Sequence, residues 1–571
     1  MSFKYKIYSS ILLCVCLFVP RATLTAQIDT IRVAAAASQL LDTAIVVDAA
    51  PVAAPHHENT YLGFNTDIHA HISLKPYNMH YPSFVHPTVN LWQEYTADAA
   101  NIYKWTRHVR KAAALPPFTS SNLDDLAKGN VRVAFASICP IQWEFSKPSQ
   151  ALRLFAFNKS KLNNMVAYYA GANAAKIEAI RYQHLDYFQD LLGELSLWQR
   201  GNGQPSPDGK YTYRIAQNFS DIEQISQQPN TIAIVLNIEG AHSLGCGGPN
   251  AKKMADKNPA GLHQNILQNI QQLKQQPFRI FSITFANHYY NQLCGQTRTH
   301  SGIISVAAHS EHEGQNEGIS ALGYMVLDEL LSDKNGKRIL IDVKHMSLKA
   351  RMEYYEWLQK KYGNSIPILY SHGAVNGLPK MADDFKWNEK KQEWQFIADK
   401  KKDNRKSYLN QWSVNLYDDE ILRINQTRGL IGIMLEDIRI AGKESLKDMK
   451  RTMEGSGQHR DEFLKALMAN VFHIVKTVGN QSAWDIIAVG SDFDGAISPM
   501  PRYQDASRFV ELRRDLEEFL TNIENHQMAL NKDNYLFDNA EIIQLFYGYS
   551  PKIIVDKLLA QNTINFLARN F

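Results

Sequence analysis

The amino-acid sequence predicts an α/β fold: a (β/α)8 barrel of the TIM type, enlarged by long loop insertions. Three observations lead there. Eight short runs rich in apolar and β-branched residues recur along the chain, helix-like segments stand between them, and metal-ligand-type side chains stand at or beside the downstream ends of five of them. Alternating β and α units build a parallel sheet, and eight of them close a barrel. An open doubly wound sheet would ordinarily carry a glycine-rich phosphate loop after an early strand, and the chain shows none.

Taken in order, residues 1–26 read as an export signal: Lys4 and Lys6, an apolar run from Ile11 to Val19, then Leu24-Thr-Ala26 before Gln27. The run is short for a bilayer span, so cleavage is expected and an uncleaved anchor is the lesser alternative. The expected location is exported, either periplasmic or extracellular, with membrane association if the anchor stays. Residues 27–60, rich in Ala, Val and Asp, read as a linker or flexible arm, and residues 61–571 as the barrel with its insertions. A chain of 571 residues with 45% hydrophobic side chains can fill a large core. Its formal charge of +4 is small and its Lys and Arg residues are dispersed, which argues against a nucleic-acid partner. Cys14 and Cys16 fall in the signal, leaving Cys139, Cys246 and Cys294. After export these allow one disulfide and one free thiol, in a pairing the sequence does not decide.

The eight runs are Asn65 to His71, Val131 to Ile138, Ile232 to Glu239, Arg279 to Ala286, Arg338 to His345, Ile366 to His372, Gly429 to Leu435 and Asp485 to Asp492. Helices are expected over Gly323 to Ser332, Lys349 to Lys361, Asp418 to Thr427 and Asp461 to Val478, where apolar residues recur every three or four positions.

The chemistry begins at Phe64-Asn-Thr-Asp-Ile-His-Ala-His-Ile-Ser73. In a strand, residues two apart point to one face, so His69 and His71 project side by side, as a metal-gripping pair would. With 19 histidines in the chain, such a pair alone is weak evidence. Glu239, His345, His372 and Asp492 strengthen it, because each also falls at or beside the downstream end of a predicted strand. That rim is where barrel enzymes build their sites, and five strands bringing ligand-type side chains to one rim point to a metal centre.

These segments, Asp67-Ile-His-Ala-His71, Ile238 to Gly245, Leu340 to Ser347, Tyr370 to Val375 and Gly490 to Ala496, resemble in order those of the membrane dipeptidase (renal dipeptidase) family of zinc peptidases, within the wider amidohydrolase group. Phe546 to Leu567 resembles that family's C-terminal helix, and the likeness spans roughly residues 62 to 571. It implies two Zn2+ ions, with Glu239 bridging them, His69 and His71 on one, and His345 and His372 on the other. It also implies Asp492 as proton shuttle beside a water between the ions.

Three departures stand out. His71 occupies the place of the family's aspartate, which removes a negative charge and bears on metal identity. Phe285 stands where the family has a substrate-facing histidine, and His288, three residues on, is the candidate replacement. The family's carboxylate-holding arginine should fall near Ser413-Val414-Asn415, while the insertion Asn376 to Trp412 offers Arg405 and Lys406. His242 is expected in the pocket or behind the ligands, Asp494 as a brace for the loop around Asp492, and His300, His309 and His312 in a solvated loop. Phe385 to Phe396 reads as a charged hairpin, either a surface excursion or a lid.

The expected function is an exported metal-dependent hydrolase, most simply a dipeptidase cleaving a peptide or amide bond through a hydroxide held between two zinc ions. The expected partner is a small molecule, a dipeptide or related amide, with no membrane span after signal cleavage and homodimerisation left open. Two alternatives remain: an amidohydrolase-type enzyme acting on an N-acyl amino acid, lactone or phosphoester, and a non-catalytic binding protein on the same barrel.

Overall fold

The computed structural model describes residues 61–82, 89–95, 119–147, 166–167, 171–182, 185–299, 312–388, 393–396, 408–453, 455–495 and 497–571. The export segment, the 27–60 arm, His300, His309, Arg405 and Lys406 lie outside them.

All eight expected runs contain a strand. They are β1 (Asn65–Ala70), β2 (Val131–Ile138), β4 (Thr231–Glu239), β5 (Ile280–Thr284), β6 (Leu340–Asp342), β7 (Leu369–Gly373), β10 (Leu430–Ile433) and β11 (Ile487–Val489). They pair in parallel in the order β1-β2-β4-β5-β6-β7-β10-β11. The two ends of this sheet meet where Ala70 bridges Phe493, with the Asp492 N–H donating to the His69 carbonyl at 2.9 Å and the His71 N–H to the Phe493 carbonyl at 2.8 Å. The result is a nearly closed barrel of eight parallel strands, covered on its outside by helices. Every position of β4 is buried, which is why such strands read as continuous apolar runs rather than alternating ones.

A further short strand, β3 (Thr212–Ile215), pairs with the first half of β4, Thr212 opposite Thr231 and Ile215 opposite Ile234, off the barrel path. The hairpin forms as expected, with β8 (Phe385–Asn388) antiparallel to β9 (Glu393–Phe396). The expected helices appear as Ala321–Leu331, Leu348–Tyr362, Asp418–Gln426 and Gly457–Val478. The last begins four residues early because Ser456 caps it, its side chain accepting from the His459 N–H.

The upstream end of the barrel is sealed by buried polar contacts. Arg513 pairs with Asp556 at 2.8 Å, and Asp556 also accepts from the backbone N–H groups of Leu62 (2.8 Å) and Gly63 (3.1 Å). The Thr66 hydroxyl donates to the Leu559 carbonyl at 2.9 Å, tying β1 to the C-terminal helical stretch from Pro551 to Asn570. Among the described residues no helix is long and apolar enough to cross a membrane.

Candidate metal centre

At the opposite rim, Asp67 sets the position of the first histidine pair. Its carboxylate accepts from the His69 N–H at 3.1 Å and from the Ser491 N–H at 2.9 Å, locking β1 to the turn that carries Asp492. Burial pushes the Asp67 carboxyl up to about 6, against these hydrogen bonds. Asp342 repeats the device at the end of β6, accepting from the backbone N–H groups of Lys344 and Ser371, both at 3.1 Å, and from the Thr284 hydroxyl at 3.1 Å.

Two of the site residues depart from the expected strand register. β6 ends at Asp342 and β11 at Val489, so His345 and Asp492 lie three residues beyond their strands. Both take left-handed backbone conformations, with φ of 67° and 59°, which turn their side chains over the mouth.

The six side chains meet there, each between 1% and 7% exposed. Glu239 stands at the centre. Its Oε2 lies 2.7 Å from His71 Nε2 and 3.3 Å from His69 Nε2, while its Oε1 lies 2.9 Å from His345 Nε2. The two oxygens of one carboxylate thus face imidazoles from opposite sides of the mouth. Asp492 Oδ1 lies 3.4 Å from His71 Nε2 and 3.9 Å from His69 Nε2. The His372 ring packs against that of His69 at 3.9 Å between centroids and lies 5.3 Å from that of His345. Ligand atoms of His69, Glu239 and His372 lie within 4.8 Å of one another, as do those of His69, His71 and Asp492. His372 therefore lies closer to His69 than to His345.

Two hydroxyls orient the imidazoles. Ser137 Oγ is 3.0 Å from His69 Nδ1, and Ser371 Oγ is 2.8 Å from His372 Nδ1. With Nδ1 engaged, Nε2 is the atom left for a ligand. His69 Nε2 is buried and, despite its proximity to Glu239, makes no hydrogen bond. An orphaned buried imidazole nitrogen among three other imidazoles and two carboxylates is the donor set a divalent cation fits.

Burial pushes the Glu239 carboxyl up, but the His71 charge and the imidazoles of His345, His69 and His71 around it outweigh it and hold the group well below its usual range. Burial pulls His71 down, yet Glu239 and Asp492 raise it to about 10. Burial lowers His345, and lowers His372 well below its usual value with the His69 and Lys344 charges adding.

The remaining candidates fall around this centre. His288 is half-buried at the rim, its ring 5.0 Å from that of His345 and its Nδ1 2.7 Å from the Thr299 hydroxyl. Phe285 is a fully buried core residue. His242 is buried behind the ligands, its Nε2 2.8 Å from the Pro140 carbonyl and its ring edge-on to Tyr187 at 5.1 Å. Burial lowers its pKa to about 4, so it is a neutral imidazole whose Nε2–H is spent on backbone. Asp494 does brace a loop: it accepts from the N–H groups of Ser120 and Ser121, both at 2.9 Å, and pairs with Lys75 at 2.6 Å. Ser413 and Val414 carry no cation to the site. Their carbonyls are pinned from behind by Arg351, itself paired with Glu420 at 2.9 Å, and by the Tyr370 hydroxyl. Cys139, Cys246 and Cys294 are free thiols, so none of the disulfides the sequence allows is formed.

Sequence reading did not single out Ser137, Ser371, Asp342 or Lys344. Each had a positional signal, being next to or within three residues of a predicted strand end or proposed ligand.

No family model matches the chain, and no curated protein does. Among solved structures it is similar to a dipeptidase described as a metallopeptidase, at 12% identity over 79% of this chain and 89% of that one, TM-score 0.40. It is also similar to a metallopeptidase from Rhodobacter sphaeroides liganded with a phosphinate mimic of the dipeptide L-Ala-D-Ala, at 12% identity over 89% and 99%, TM-score 0.43. A third is the probable dipeptidase PvdM from Pseudomonas aeruginosa, at 16% identity over 79% and 88%, TM-score 0.40.

Proposed function

We propose that this chain is an exported, metal-dependent hydrolase that cleaves a peptide or amide bond in a dipeptide-sized substrate, using two zinc ions. The observation that carries this reading is the Glu239 carboxylate, with Oε2 turned to His71 and His69 and Oε1 to His345. One bridging carboxylate with imidazoles on both sides suits a cation pair better than a single ion, and a mainly imidazole donor set suits zinc. The motif segments that resemble the membrane dipeptidases supply the same residues. The order of basic residues, apolar run and Leu24-Thr-Ala26 supports export.

His69 and His71 would hold one ion and His345 and His372 the other, with Glu239 shared between them. A bound pair of zinc ions supplies an acidified water and polarises the substrate carbonyl. The protein's own groups do the rest. Asp492, on its left-handed turn beside His69 and His71, takes the water's proton and returns it to the leaving amine. Ser137 and Ser371 fix the imidazole orientations. His288 faces the mouth from the half-exposed rim, where its ring can donate to the substrate carbonyl oxygen.

A panel of dipeptides with L- and D-configured C-termini, assayed with and without a chelator, tests the reading. Hydrolysis that the chelator abolishes and zinc restores is the expected result. Bound metal without turnover of any dipeptide would reassign the site to another amide or ester substrate, and turnover indifferent to chelator would end the metal reading.

A further inference from the structure

The upstream end of the barrel, opposite the mouth, carries a group of cations that the hydrolase reading does not use. Lys274 ends the helix Pro259–Lys274, Arg279 stands just before β5, and Lys337 and Arg338 stand just before β6. Because β5 and β6 pair in parallel, Ser282 opposite Leu340, the four come to one edge. Each is held by main-chain carbonyls. The Lys274 Nζ donates to the Glu329 and Ser332 carbonyls at 2.6 and 2.7 Å, and the Arg279 Nη2 to the Asn570 carbonyl at 3.0 Å. The Lys337 Nζ donates to the Gln217 carbonyl at 3.2 Å, and the Arg338 Nε to the Leu331 carbonyl at 2.7 Å. The Phe571 ring, centred 4.6 Å from the Arg279 Cζ, fixes that guanidinium further, and the Arg279 Nε is buried with no hydrogen-bond partner. Lys337 is exposed and Arg338 half-buried, so solutes reach the group.

Carboxylates do not cover this charge. Asp221, Glu329 and Asp333 are the acids that act on Lys274 and Lys337. Asp221 accepts from the Gln217 N–H at 2.7 Å and Glu329 from the Asn335 side chain at 3.1 Å, while the well-exposed Asp333 comes no nearer to Arg338 than 3.8 Å. Among the described residues no carboxylate forms an ion pair with Lys274, Arg279 or Lys337. Burial lowers all three, Arg279 to about 10, with Arg338 adding to the fall of Lys274 and Arg279, and Arg279 to that of Lys337. Holding like charges together without acids costs free energy that a bound oxyanion recovers, and guanidinium and ammonium donors fixed from behind suit a phosphate group.

We propose that Arg279, Lys337 and Arg338, with Lys274 behind them, form a binding site for a phosphate-type oxyanion at the upstream end of the barrel, apart from the metal centre. Free phosphate and a phosphate headgroup share this chemistry. Once bound, the anion ties the starts of β5 and β6, through Arg279, to the end of the helix Asn562–Asn570. The site stands whether or not the chain is a dipeptidase.

The experiment titrates inorganic phosphate, by calorimetry, into the zinc-loaded full chain. It compares wild type with Arg279→Gln, Lys337→Gln and Arg338→Gln, and with Lys447→Gln on the helix Lys443–Arg451 beyond the downstream end of β10. Each of the first three should bind phosphate about tenfold or more weakly than wild type, the cost of a lost charge-assisted contact. Lys447→Gln should stay within about twofold, as a solvated surface charge does. Phosphate should also raise the Tm of wild type more than that of the three variants. Equal affinity in wild type and all three variants would put the anion elsewhere, at the metal centre for instance, and overturns the proposal, as does a wild type that takes up no phosphate. Arg279 also packs on Phe571, so if Arg279→Gln fails to fold, Lys337→Gln and Arg338→Gln decide. Co-sedimentation with phosphatidylglycerol vesicles separates the two sources: capture of wild type but not of Arg338→Gln supports the site with a lipid headgroup as its ligand, and phosphate binding without capture supports it with a soluble one.

Discussion

His69 and His372 each have one ring nitrogen beside a serine hydroxyl and the other turned to the mouth, so Ser137 and Ser371 set the ligands without touching a metal. Ser137→Ala and Ser371→Ala should each weaken zinc affinity by about 10–100-fold, the usual cost of losing an orienting partner, as read from competition with a chromophoric chelator. An affinity within twofold of wild type would deny them that role. Asp492 makes the opposite prediction. Asp492→Asn should keep its metal and lose at least about 100-fold in kcat, whereas His345→Ala should lose metal. Equal metal loss in both would make Asp492 a ligand rather than a shuttle. The ligand types were legible in the sequence because histidine and carboxylate at strand ends carry their chemistry in their names. Serine does not: Ser371 and Ser137 resemble dozens of structural hydroxyls until the ring beside each is seen.

The strands position these residues through close packing of the barrel wall. Gly432, on β10, and Gly490, just after β11, each face the Ser371 carbonyl so tightly that a Cβ would lie 1.8 Å and 2.0 Å from its oxygen. An alanine at either place must push the end of β7, which carries His372. We expect Gly432→Ala and Gly490→Ala to destabilise by about 1–3 kcal/mol each in urea titrations and to lower zinc occupancy together with stability. Normal occupancy in a destabilised variant would show that β7 yields without moving its histidine. All eight barrel strands were legible, because strands buried on both faces give unbroken apolar runs. β3 was not, because Thr-Tyr-Arg-Ile is too short and too polar to stand out, and its pairing with β4 is a long-range choice. The left-handed turns at His345 and Asp492 were also illegible, since neither is a glycine.

For the molecule as a whole, one buried acid outside the mouth gives a stability signature. Burial raises Asp419 to about 7, with the neighbouring Glu420 charge adding, while its side chain accepts from the Met381 N–H at 3.0 Å. The folded protein therefore holds a proton there that the unfolded chain releases near pH 4. The stability this gives is complete below about pH 4 and is lost as pH rises through 7. Relative to Asp419→Asn, the wild type should lose roughly 1–4 kcal/mol between pH 5 and pH 8. Parallel denaturation curves for the two proteins at every pH would refute it. The whole account stands on a cation pair gathered by residues from five strands around Glu239. Metal content per chain after zinc loading and exhaustive dialysis, in wild type and Glu239→Ala, tests it most directly: we predict two zinc ions in the wild type and none or one in the variant, and a wild type that retains no metal, or a variant that retains both ions, would contradict it.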